Sequence, residues 1–69
     1  MKMTEIRALS DQELKTKIDE TREELMNLRF QMSSGGLTDF TRLRATRRLI
    51  ARLLTVENER RQAAEEGAK

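Results

Sequence analysis

Ser33-Ser34-Gly35-Gly36 is the one strong interruption in an otherwise helix-forming chain, and the architecture follows from what flanks it. Glycine just past a helix suits the left-handed C′ position, and a second glycine beside it makes a corner. On the N-terminal side, Leu14, Ile18, Thr21, Leu25, Leu28 and Met32 recur at spacings of 4, 3, 4, 3 and 4, a heptad seam with one polar member. At 100° per residue these six fall within an arc of about 80°, narrow enough to face one partner helix. On the C-terminal side, Leu43, Thr46, Leu49, Ile50, Leu53, Leu54 and Val56 occupy a broader arc of about 160°. A short connection lets the two stripes pack against each other as an antiparallel hairpin. Leu49 and Val56 stand at the edge of their arc, where burial within the chain and contact with another protein are equally open.

Further toward the N-terminus, Ser10-Asp11-Gln12-Glu13 fits a capping box, with Leu9 and Leu14 at the staple positions. The chain before Ser10 therefore turns, and a long helix runs from about residue 11 to 33. The expectation is all-α: a short N-terminal helical turn plus an antiparallel hairpin of two long helices, one domain over residues 1–69. Ile6 and Leu9 on the N-terminal turn are expected to fold over an open end of the hairpin, and Met26 and Phe30, an i, i+4 pair off the main seam, are candidates to meet them. Asp39 is a good N-cap for the second long helix, which is expected to run to about residue 61, leaving 62–69 as a frayed tail.

Composition narrows the function. The chain has 69 residues with no cysteine, histidine or proline, and 38 of them are Ala, Glu, Lys, Leu or Arg, a signature of long helices. The usual zinc ligand sets are excluded, as is a disulfide. The longest apolar run, Leu49-Ile50-Ala51, is far below the roughly 20 residues of a membrane span, and no apolar signal-peptide core is evident near the N-terminus. No membrane association and a cytoplasmic location are the expectations.

The net charge is only +2, yet the charges are segregated. Residues 40–61 hold seven basic and two acidic side chains, and Arg42, Arg44, Arg47, Arg48 and Arg52 follow one another with no acid among them. On the wheel, Arg44, Arg47, Arg48 and Arg52 lie opposite the apolar arc, interleaved with small Ala51 and Thr55. No acid stands three or four residues from any of these four within the helix, so the neutralisation usual on a solvated face is missing. Guanidinium groups clustered this way suit a polyanion, because the planar fork holds two phosphate oxygens at once. The face offers no Asn, Gln or aromatic, which favours phosphate contact over base reading. Lys15, Arg22 and Arg29 repeat every seven residues on the first long helix. Nearby acids favour ordinary surface pairing for Lys15 and Arg22, while Arg29 remains a candidate contact.

An enzyme lacks its nucleophile, general base and phosphate loop, and no cofactor is expected. A helical catalyst of the chorismate mutase kind needs arginines turned inward, whereas four of these five turn outward. A dimeric coiled coil is disfavoured by the glycine corner and by the second stripe in the same chain, so a homo-oligomer is not expected.

The residues also resemble a family. Glu23-Glu24-Leu25-Met26-Asn27-Leu28-Arg29-Phe30-Gln31 is similar to the signature stretch of the bacterial-type large-subunit ribosomal protein L twenty-nine family. The run from Arg42 to Val56 is similar to that family's second motif, and Ile6 to Leu14 and Gly36-Leu37 also fit. The likeness covers about residues 4–61. It differs at Phe40 (usually proline), Thr46 (usually aliphatic), Leu49 (usually an acid) and Leu54 (usually lysine). The resemblance implies a structural constituent of the 50S subunit, a ribonucleoprotein component of translation without enzymatic activity. It implies binding of 23S ribosomal RNA near the nascent-chain tunnel exit, beside ribosomal protein number twenty-three. Carried over by position, its RNA-binding residues are Arg29, Arg42, Arg44, Arg47, Arg48 and Arg52.

Overall fold

The computed structural model describes residues 1–36 and 40–67. Among the described residues lie three helices and no strand: α1 (Met3–Arg7), α2 (Asp11–Ser33) and α3 (Thr41–Gly67). Both halves of the capping box form at the start of α2. The Glu13 amide donates to Ser10 Oγ at 3.1 Å, and the Ser10 amide donates to Glu13 Oε1 at 3.4 Å. At the other end the Gly36 amide reaches the Gln31 carbonyl at 2.8 Å and the Gly35 amide reaches that of Met32 at 3.1 Å. These two bonds define a Schellman ending, and Gly35 takes the required left-handed conformation at φ +81°. At the start of α3 the Arg44 amide donates to the Phe40 carbonyl at 3.0 Å. The expected cap at Asp39 lies outside the described residues.

α3 extends to Gly67 rather than stopping near residue 61. Local propensity accounts for the extra turns: Ala63, Ala64, Glu65 and Glu66 are strong helix formers, and Arg61 pairs with Glu57 one turn back at 3.4 Å. At 1.5 Å per residue α2 and α3 are about 34 and 40 Å long. The molecule measures 50 × 19 × 16 Å with a radius of gyration of 14.5 Å, against roughly 11 Å for a compact chain of this length. It is a rod, and it presents faces rather than an enclosed site.

The core lies toward the open end of the hairpin. Ile6, Leu14, Ile18, Leu53 and Val56 form it, with Met3, Leu9, Leu49, Ile50 and Leu54 packed around them. Val56 is therefore buried within the chain, and Leu49 is half-buried against the same cluster. Leu28 and Leu43 carry the seam toward the corner. Thr21 is tolerated in it because its hydroxyl donates to the Lys17 carbonyl at 2.6 Å, so no bare polar group is buried. Leu25 is only half-buried, and Met32, in the last turn of α2 beside the corner, is exposed.

The N-terminal turn packs on α3 at that open end, as expected, but it does not meet Met26 and Phe30. Met26 lies fifteen residues into α2 from Asp11, about 22 Å along the helix from where α1 joins it. Both side chains also project away from the seam, and they are 68% and 74% exposed. α1 is held by polar contacts as well as apolar ones. Arg60 Nη2 donates to the carbonyls of Leu9 at 2.6 Å and Arg7 at 3.3 Å, while Nη1 meets Asp11 Oδ1 at 2.8 Å. This one side chain thus satisfies carbonyls at the end of α1, which have no helical partner of their own, and ties α3 to the start of α2. Arg7 and Glu59 add a looser pair at 3.4 Å.

Candidate nucleic-acid interface

The structure sorts the six arginines singled out in the sequence by whether anything neutralises them. Arg44, Arg47 and Arg48 are exposed on α3 and make no side-chain hydrogen bond or ion pair with a described residue. Arg29 is exposed and equally unengaged on α2. Arg52 donates from Nη1 to the Met1 carbonyl at 3.2 Å, which leaves its charge uncompensated. Arg42 differs: its Nε and Nη2 both reach Glu24 Oε1, at 3.1 and 2.9 Å. That pair bridges α2 and α3 and serves the hairpin. The wheel contains the signal, since Arg42 falls inside the apolar arc and so points toward the partner helix.

The positions expected to separate these arginines are small and exposed. Ala51 stands bare, and the Thr55 hydroxyl is turned back to the Ala51 carbonyl at 2.8 Å. No bulky side chain therefore shields the row Arg44, Arg48, Arg52, whose members follow one another at about 6 Å of rise. That is near the spacing of successive phosphates along a nucleic-acid strand. On one side the row borders a groove of about 440 Å³ that runs from Met1 to Arg42, past Ala45, Arg48, Leu49 and Arg52. A helix presents such a row rigidly because α3 is packed along its opposite side by Leu43, Leu53 and Val56.

Lys15 and Arg22 do not form the expected surface pairs: neither has an ion-pair partner among the described residues. Exposed pairs along one helix contribute only a few tenths of a kcal/mol, too little to hold flexible side chains together. They join Arg29 as free cations along one flank of α2. Sequence reasoning also missed the role of Arg60. Its partners stand 49 to 53 residues away, so no local spacing could reveal it.

Among the described residues no group of carboxylates is arranged to hold a metal ion. No helix is long and apolar enough to cross a membrane. The fold and its charged faces define a small helical-hairpin module with a rigid, largely unneutralised arginine surface.

Comparison with known proteins gives the family. The model of the family described as ribosomal L29 protein matches residues 4–60, and the chain belongs to that family. Members are structural components of the ribosome, not enzymes. Among its relatives is a large ribosomal subunit protein uL29 of Saccharopolyspora erythraea, 50% identical over 94% of this chain and 90% of the relative. The protein of the same name from Persephonella marina is 52% identical over 87% of this chain and 88% of its own length. A third, from Rubrobacter xylanophilus, is 52% identical over 90% of this chain and 92% of its own.

Proposed function

We propose that this protein is a structural constituent of the large ribosomal subunit that binds 23S ribosomal RNA through the arginine surface of α3. Arg44, Arg47, Arg48 and Arg52 contact phosphates directly, Arg29 contributes from α2, and Arg42 combines an RNA contact with its pair to Glu24. The observation that carries this reading is the unneutralised row on a rigid helix: like charges repel at such spacing, and a polyanion removes the repulsion. Recognition rests on RNA shape and backbone, since the row offers guanidinium forks and no base-reading amides. The family resemblance supports a place near the nascent-chain tunnel exit, beside ribosomal protein number twenty-three, on cytoplasmic ribosomes.

The test is sucrose-gradient sedimentation of the tagged chain and of the Arg44→Gln/Arg48→Gln/Arg52→Gln variant in cell extract at rising salt. The parent chain should co-migrate with large subunits through high salt. The variant should keep its helicity and be missing from the large-subunit fraction at salt concentrations where the parent chain is retained, because three phosphate contacts are lost. Unchanged incorporation of the variant would refute the assignment of this face.

A further inference from the structure

The hairpin is polarised along its length. The packed core gathers at the open end, around Ile6, Leu14, Ile18, Leu53 and Val56. Among the described residues, four of the five exposed large apolar side chains, Met26, Phe30, Met32 and Phe40, lie in the corner half instead. Residues 25–52 of that half contain six arginines and a single acid, Asp39. Scattered apolar residues on a surface carry no message, but Met26 and Phe30 are one turn apart, on the side of α2 that faces away from α3. No described residue covers them, and α1 docks on α3 at the other end.

The flank of α2 next to this pair bears Arg22 and Arg29, neither engaged by a described residue. About 100° per residue separates neighbours on a helix, which places Met26 and Phe30 between Arg22 and Arg29 on one side and Glu23 and Asn27 on the other. Phe30 is thus an exposed π-face, and the uncompensated Arg29 guanidinium lies about 100° round the helix from it, on the far side of Met26. That pairing is the elementary unit by which proteins hold unpaired nucleotides: the ring stacks on a base and the cation takes the adjoining phosphate. A protein partner for the same patch would need acidic groups facing Arg22 and Arg29 around a pocket for Phe30; an RNA strand supplies both complements in one repeating unit.

We infer that α2 carries a second RNA contact, in which Phe30 stacks on an unpaired base of the ribosomal RNA and Arg29, aided by Arg22, holds the neighbouring phosphate. Met26 widens the apolar platform. The contact is separate from the phosphate row on α3, so the hairpin grips RNA from two faces. The inference rests on the proposal that the chain is a ribosomal RNA-binding protein.

The experiment assembles the full chain into large subunits with Phe30 replaced by photoreactive p-benzoylphenylalanine, irradiates them and separates the products. Crosslinks to RNA at nucleotides outside base-paired helices are expected. A crosslink to a ribosomal protein, or none in subunits that contain the chain, overturns the inference. In parallel, Phe30→Leu should keep full helicity, since leucine is the better helix former. It should weaken retention on the subunit by about tenfold, the loss typical of one stacked base, whereas Phe30→Tyr should retain it. Equal retention of Phe30→Leu and parent refutes stacking. Failure of the parent chain to co-migrate with large subunits would instead overturn the functional assignment itself, and so the two failures are distinguishable.

Discussion

Ile6 and Phe30 are both large, apolar and helical, and the structure predicts opposite fates for their truncation. Ile6 is fully buried among Leu14, Ile18, Leu53 and Val56. Cutting it to alanine removes three carbon atoms, about 2.4 kcal/mol of transfer free energy at ~0.8 kcal/mol per buried methylene. The cavity adds to this, for a total of roughly 3 kcal/mol. A chain of 69 residues has roughly 3–10 kcal/mol of stability, and a small hairpin sits toward the lower end. Ile6→Ala should therefore lower the melting temperature by about 12–24 °C, at 4–8 °C per kcal/mol for this size. Phe30→Ala removes a side chain that is already in water and should shift it by no more than about 3 °C. The assay is thermal unfolding of the isolated chain followed by circular dichroism at 222 nm, the usual helix band, with both variants beside the parent. A drop below about 4 °C for Ile6→Ala, or equal drops for the two variants, would refute the docking of α1 as part of the core.

Arg60→Met keeps most of the aliphatic stem but removes the bonds to Leu9, Arg7 and Asp11. It should cost about 1–3 kcal/mol, seen as faster amide exchange in residues 3–9 than in α2. The matched control Arg44→Met, at a position with no internal partner, should leave exchange unchanged. At Gly35, where φ is +81° and no atom lies within 4 Å of an added Cβ, alanine meets backbone strain without a clash. Gly35→Ala should therefore destabilise the chain by about 1–2 kcal/mol in chemical denaturation, and a neutral effect would show that the Schellman ending is dispensable.

The local features were legible because each depends on residues close together in the chain. The capping box needs only Ser10 and Glu13 three positions apart, and the corner needs a glycine where φ turns positive. The two stripes and the outward arginines follow from 100° per residue. The same locality explains the misjudged end of α3, where an alanine–glutamate run expected to fray continues the helix to Gly67. Resemblance to a ribosomal protein family came from the order and content of two linear motifs, and the family match spans residues 4–60.

What depends on packing was not legible. Whether α1 reaches Met26 and Phe30 is a question of distance along a rod, and the register of the hairpin answers it by leaving both side chains bare. Arg42 and Arg60 look like their neighbours in sequence, yet one bridges to Glu24 and the other clamps α1, each through partners on another helix. Lys15 and Arg22 stand near acids in sequence and still have no ion-pair partner among the described residues. Sequence alone thus established which residues are helical, apolar or charged, because those properties are local. Which charges are neutralised by another helix and which are not was settled by the fold, because an ion pair depends on separation in space.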